Sequence, residues 1–223
     1  MIKDERLIEQ RRRQIIEGAV RLFVEKGFHK TTTREIARAC GLSIGTMYEY
    51  IQSKEDVLYL VCEHIHSELE ERLREAVSPQ DSGLESLRKC LKQLFTVMDA
   101  MSSSVLLIYQ ETKSLPKDKM AYVLSKEEEI TSIFESILEK GMRDGTIQID
   151  PSSVKLMAHN IMVMGQMWTF RRWALRRHYD LEEYTERQMS LLLGEITAGG
   201  MRHGNGNPAP ETRGSLRDGG QPV

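Results

Sequence analysis

Apolar residues recur at intervals of three and four along almost the whole chain, and no six-residue stretch alternates apolar with polar. That period belongs to amphipathic helices and leaves no candidate strand. The chain therefore reads as all-α. Helices are predicted near 4–26, 33–39, 44–50, 54–77, 83–100, 103–113, 117–142, 151–178 and 181–197, about nine in all. The breaks between them are chemically consistent. Gly27 and Gly41 stand where a helix ends in a left-handed residue. Ser78-Pro79 and Leu115-Pro116 interrupt the pattern, because the residue before a proline avoids helical geometry. Asp144-Gly145 closes one helix, and Pro151 opens the next. Residues 199–223 hold seven glycines, three prolines and almost nothing apolar. Such a tail cannot bury enough surface to offset its ordering entropy and is expected to be disordered.

Composition removes several classes. The longest uninterrupted apolar runs, Val105 to Tyr109 and Ile161 to Met164, fall far short of the ~20 residues of a membrane span, so no membrane partner is expected. The opening MIKDERLIEQRRR has no apolar core, so no secretory signal is expected. Cys40, Cys62 and Cys90 cannot pair evenly and lack a CxxC spacing, which points to a reducing, cytoplasmic setting. The formal net charge of −2 hides an asymmetry: residues 1–54 carry eleven Lys/Arg against seven Asp/Glu, and residues 55–223 carry twenty against twenty-six. A basic head on an acidic body suggests that only the head meets a polyanion.

The head has a readable motif. Thr32-Thr33-Arg34-Glu35 is a capping box, with Ile36, Ala37 and Cys40 as the apolar stripe behind it. Gly41 supplies a left-handed turn, Leu42 points inward, and Ser43 caps a second short helix from Ile44 to Tyr50. Two short helices joined by a glycine turn form a helix-turn-helix, a geometry that lays the second helix in a DNA major groove. The same spacing also occurs in helical bundles with no nucleic-acid role. The exposed side of the second helix would carry Ser43, Ile44, Gly45, Thr46, Tyr48, Glu49 and Tyr50. Hydroxyls there suit phosphate contacts, and Gly45 allows close backbone approach. Lys54 follows at the next helix start, where an ammonium and free amides can meet a phosphate.

Residues 31–58, TTTREIARACGLSIGTMYEYIQSKEDVL, closely resemble the signature of the TetR family of bacterial regulators. The resemblance rests on Thr31-Thr32, Ile36-Ala37, Gly41-Leu42-Ser43, Gly45-Thr46, Tyr48 and Ser53-Lys54-Glu55. Upstream, Ala19, Leu22, Phe23, Gly27 and Phe28 stand in matching places. It implies an N-terminal three-helix helix-turn-helix head over residues 1–53 and a helical ligand-binding and dimerisation body over 54–198. Carried over by position, phosphate contacts fall on Thr33, Thr46, Tyr48, Tyr50 and Lys54, and base-edge contacts on Arg34, Ser43, Ile44 and Gly45. Two positions depart from the pattern. Met47 replaces a smaller aliphatic and is expected to pack. Ile51 stands where an aromatic is usual and should plug into the head's core. Glu49 would accept from a cytosine amino group or pair with an arginine. Arg11, Arg12 and Arg13 form either a solvated helix face or a phosphate contact.

The same resemblance implies a homodimer on a palindromic double-stranded operator, paired through the last two helices, with a small molecule bound in the body. The predicted helix 151–178 is apolar on more than one face, and Gly165 allows a neighbouring helix close; the last helix offers Met189, Leu191, Leu192, Leu193 and Ile196. Nine of the twelve methionines lie between Met98 and Met189. Methionine fills ordinary cores and also adaptable pockets. A pocket would draw on Phe95, Met98, Met101, Tyr109, Phe134, Met157, Met164 and Trp168. Arg171, Arg172, Arg176 and Arg177 would either pair with Glu182, Glu183 or Glu186, or clamp an anion beside the pocket. An apolar tunnel with a basic mouth suits a long-chain acyl-coenzyme A or fatty acid, and residues 159–175 resemble TetR-type regulators of that metabolism. Aromatic or cationic lipophilic effectors, control by a protein partner, and activation instead of repression stay open.

No catalytic constellation is present. His64 and His66 point apart on a helix, and Cys62 with His66 supplies only two ligands. No nucleophile elbow, phosphate loop or metalloprotease motif occurs. No enzyme activity, metal or cofactor is expected.

Overall fold

A computed structural model describes residues 5–198, which are all-helical. Ten α-helices run among these residues: α1 (Glu5–Lys26), α2 (Thr33–Ala39), α3 (Ile44–Tyr48), α4 (Lys54–Ala76), α5 (Gly83–Ala100), α6 (Ser102–Glu111), α7 (Lys117–Arg143), α8 (Val154–Phe170), α9 (Arg172–Leu175) and α10 (Leu181–Ala198). Single 3-10 turns follow α6 and precede α8. The tail expected to be disordered lies outside the described residues.

Local chemistry sets the helix starts. Thr32 Oγ1 accepts the Glu35 amide at 3.3 Å, and the Glu35 carboxylate accepts the Thr32 amide at 2.9 Å. Ser53 with Asp56 and Ser82 with Glu85 build the same reciprocal box on α4 and α5. Each box satisfies amides that the first helical turn leaves without partners.

The largest departure from the sequence reading is the helix expected over 151–178. It is a 3-10 turn at Pro151–Ser153, α8 to Phe170, and a separate short α9. Arg171 leaves helical geometry at φ −105° and ψ 17°. Two contacts fix the turn: Thr169 Oγ1 donates to the Met98 carbonyl (3.1 Å), and the Arg172 guanidinium donates to Ser102 Oγ (2.9 Å). Both bind the chain to the α5–α6 junction, which a straight helix would pass by. Trp173 is 67% exposed as a result. α3 also ends early, at Tyr48, where the backbone turns to feed Ile51 into the core.

α5 is the central helix. Leu87, Cys90, Leu91, Leu94 and Phe95 are all fully buried. Its start lies against the end of α7 so closely that a Cβ at Gly83 would sit 2.2 Å from Gly141 Cα. A Cβ at Gly165 would sit 2.9 Å from Leu94 Cγ, so the helix that Gly165 admits is α5 of its own chain. In the head, Ile15, Ala19, Phe23, Ile36, Met47 and Ile51 close a core that continues through Val57 and Leu58 of α4 into the body. Each of the larger side chains among these contributes about 1.5–3 kcal/mol by leaving water.

Candidate functional site

The α2–α3 face is built outward from its anchors. Met47 and Ile51 are buried, as expected, and so is Cys40. Gly41 holds φ +65°, the left-handed value that lets α3 turn back across α2. With α3 pinned from beneath, Arg34, Ser43, Ile44, Gly45 and Tyr48 are exposed, and Thr33, Thr46 and Tyr50 are half-buried. Ser43 Oγ caps α3 by accepting the Thr46 amide at 3.0 Å, and it lies 2.9 Å from Thr46 Oγ1. Thr33 Oγ1 lies 3.4 Å from the Tyr48 hydroxyl. The face therefore presents five hydroxyls and one guanidinium on α2, α3 and the residues that flank α3.

Lys54 has a further task that the sequence did not disclose. Its ammonium donates to the Phe28 and His29 carbonyls, both at 3.1 Å, and sits over the Phe28 ring. One of its three N–H groups is left for another acceptor. Arg12 and Arg13 line a groove of about 420 Å³ against α4 and α7, with Glu63, Glu70 and Lys126 opposite. That placement sets them against body helices.

α4 runs from the head into the body, and α1 packs on both α4 and α6. Asp56, in the first turn of α4, pairs with Lys119 of α7. His29 lies 3.5 Å from Glu111 at the end of α6.

The body holds an apolar cavity of about 250 Å³. α4 contributes Cys62, Ile65, His66 and Leu69; α6 contributes Val105, Ile108 and Tyr109. Val123, Leu124 and Glu127 come from α7, and Met162, Gln166 and Phe170 from α8, with Met98 and Thr112 completing the wall. Tyr109, 69% exposed, stacks on Phe170 at 4.3 Å between ring centres. Gln166 Nε2 donates to Glu127 at 3.1 Å. Burial, with the Lys126 cation adding to it, pushes the His66 imidazole below its usual range. Burial pushes the Cys62 thiol up to about 12. Both groups are neutral near pH 7.

Of the eight pocket residues expected from sequence, Met98 and Tyr109 line this cavity. The other six do not. Phe95, Phe134 and Trp168 are buried in the core. The Trp168 indole N–H donates to Asp99 at 2.7 Å and its ring packs on Tyr184, which also meets Phe95. Met101, Met157 and Met164 are packed against that core. Size and softness do not mark a pocket side chain here, because these six pack the core among α5, α7, α8 and α10. The contributions of α4 and α7 were missed, because short aliphatic residues carry no mark of which side of a helix meets a void.

The arginine cluster also falls differently. Arg176 pairs with Asp99 and lies over the Trp168 ring, Arg172 reaches Ser102, and Arg171 lies over Trp173. No ion pair joins them to Glu182, Glu183 or Glu186 among the described residues. The break at Arg171 turns the segment back on the α5–α6 junction.

No group of three His, Cys, Asp or Glu side chains lies close enough to hold a metal ion among the described residues. No single described helix is long and apolar enough to cross a membrane.

Two family models match the chain. Bacterial regulatory proteins of the tetR family match residues 15–59, and the tetracyclin repressor-like C-terminal domain matches residues 80–173. The chain is 28% identical over 193 residues to the HTH-type transcriptional regulator HbdR of Aromatoleum sp. (strain CIB), covering 86% of this chain and 83% of that one. It is 32% identical over 145 residues to the HTH-type transcriptional repressor KstR2 of Rhodococcus jostii (strain RHA1), covering 63% and 69%. The crystal structure of AibR in complex with isovaleryl coenzyme A and operator DNA matches with a TM-score of 0.65 at 22% identity, over 84% of this chain and 98% of that one. That last likeness is one of fold.

Proposed function

This chain belongs to the TetR family of bacterial transcriptional regulators, and from that premise we propose that it is a homodimeric repressor released from a palindromic operator by a small lipophilic effector. The family is one of DNA-binding regulators and not of enzymes. The head, residues 1–53, meets DNA through Thr33, Arg34, Ser43, Ile44, Gly45, Thr46, Tyr48, Tyr50 and Lys54. The observation that carries this is the rigid α2–α3 face, with Met47 and Ile51 locked beneath a row of exposed and half-buried hydroxyls and the exposed Arg34. Hydroxyl and cationic groups fix register on phosphates, and the exposed N-terminal residues of α3 face base edges.

The effector enters the cavity of the body, residues 54–198. An acyl-coenzyme A or fatty acid is the first candidate, supported by the apolar lining and by the isovaleryl coenzyme A bound to AibR. α6 supplies one wall of the cavity and ends at Glu111 beside His29 of the head. A wall that shifts on binding therefore presses on the head directly. An effector releases DNA only as far as it binds the DNA-incompetent state more tightly.

Fluorescence anisotropy on DNA from upstream of its own gene, titrated with a long-chain acyl-coenzyme A, tests the reading. Binding followed by release at micromolar effector upholds it. Binding without release removes the acyl effector, and no binding at low salt removes the DNA-binding role.

A further inference from the structure

The cavity is apolar but not neutral. Glu127 is the one carboxylate on its wall, and no lysine or arginine lines it among the described residues. Among the described residues, the cavity lining thus offers no cationic side chain to pair with it. His66 and Cys62 are neutral near pH 7, and Gln166 offers an amide dipole only. That amide occupies one carboxylate oxygen. A carboxylate has about four acceptor sites and no donor. When a ligand displaces water from such a cavity, the carboxylate is desolvated, at a large cost unless it is paired.

We propose that Glu127 selects the effector's buried polar group: a hydroxyl or ammonium that donates to the carboxylate, with a free carboxylate excluded. This rests on the body cavity being the effector site. A fatty acid whose head group reached Glu127 would set two like charges in a low-dielectric space, where their repulsion is strong. A thioester carries no such charge, so within the acyl class the structure favours the coenzyme A form over the free acid. An acyl chain or ring skeleton bearing a hydroxyl satisfies Glu127 outright. Hydrogen bonds to a charged acceptor are roughly twice as strong as neutral ones, and a site built to hydrogen-bond a hydroxyl rejects the analogue that lacks one.

Three probes of equal chain length separate the chemistry: 1-octanol, octylamine and octanoate. Binding to the full-length protein is measured by calorimetry at pH 7.5 without DNA. Octylamine and 1-octanol are expected to bind at least tenfold more tightly than octanoate. In Glu127→Gln, octylamine should weaken by about tenfold, octanoate should strengthen, and 1-octanol should change least. Circular dichroism melting checks that the variant is folded; the amide oxygen it introduces can still accept from Gln166. Octanoate binding as tightly as 1-octanol overturns the proposal, as does an order unchanged in Glu127→Gln or no binding of any probe. DNA release is read separately by anisotropy. Binding in the expected order without release upholds the selectivity of Glu127 and removes the effector reading. Release by octanoate ahead of 1-octanol keeps the effector reading and overturns the selectivity.

Discussion

The hydroxyls of Thr33, at the start of α2, and Tyr48, at the end of α3, lie 3.4 Å apart across the turn made by Gly41. They bring the two helices of the head to one polar edge. Met47, the residue before Tyr48, is fully buried, while Tyr48 is 45% exposed. Neighbours on one short helix thus divide the work of holding it and presenting it.

That division is testable. Tyr48→Ala should change folding stability by no more than about 0.5 kcal/mol and abolish operator binding at physiological salt. Tyr48→Phe removes only the hydroxyl and should weaken binding about tenfold, the size of one hydrogen bond to a charged acceptor. Met47→Ala should cost about 2–5 kcal/mol of stability. Chemical denaturation and anisotropy read the two effects separately. Unchanged operator affinity in Tyr48→Ala would remove Tyr48 from the phosphate contacts.

The head was legible because local rules decide it. Capping boxes, the glycine turn and one apolar stripe each act within a few residues, and Thr32, Gly41 and Ser43 state them openly. The body was less so. Its helix count failed at Arg171, where Thr169 and Arg172 bond to Met98 and Ser102 some seventy positions away. Nothing near Arg171 in the sequence signals that pull. The lining of the cavity is hard to read from sequence for a similar reason. Trp168 has the bulk of a pocket residue, but its indole is committed to Asp99. Glu127, which bears on ligand chemistry, looks like any surface glutamate on a charged helix.

The capping box of α2 predicts an acid-sensitive head. The Lys26 ammonium, 2.8 Å away, and then the Thr32 amide hold the Glu35 carboxyl down from 4.5 to about 2. A carboxyl depressed in the folded state stabilises fully above its unfolded value, and the contribution fades as pH falls from about 4.5 toward 2. An NMR titration of the Glu35 side chain should show its midpoint near the lower value. Glu35→Gln should flatten the fall of stability across that window. A midpoint at the ordinary value would mean that the box is not formed.

Two close approaches should respond differently to one methyl group. A Cβ at Gly83 meets the Gly141 backbone, with both Cα and N at 2.2 Å. Backbone cannot step aside without moving α7, and the Gly83 amide is bonded to Asp144 at 2.7 Å. Gly83→Ala should therefore cost at least about 3 kcal/mol, the upper end for overpacking. At Gly165 the nearest atoms belong to the Leu94 side chain, at 2.9–3.2 Å. That side chain can shift, so Gly165→Ala should cost about 1 kcal/mol. Urea denaturation of both variants ranks them. Equal costs would show that the α5–α7 contact is as yielding as the α5–α8 contact.

The proposed dimer is testable at the surface that α8 and α10 leave uncovered. Leu192, Leu193 and Ile196 of α10 are buried within the chain, but Leu191 is 72% exposed; on α8, Leu156 and Val163 are 63% and 57% exposed. Leu156 and Val163 are seven residues apart, so they share one helix face. Gly194, three residues after Leu191, has open space where a Cβ would stand. An outward leucine beside an uncovered glycine suits close packing of a second helix pair. Leu191→Glu puts a charge there while keeping the helix propensity near that of leucine. Multi-angle light scattering should find a dimer for the parent and a monomer for Leu191→Glu, with the helical circular dichroism retained. Because each monomer then engages one half-site alone, operator affinity should fall by about a hundredfold or more, the scale of avidity lost when two linked contacts are separated. A variant that stays dimeric would move the interface away from Leu191, and a monomer that keeps full affinity would mean that the operator is read by one head at a time.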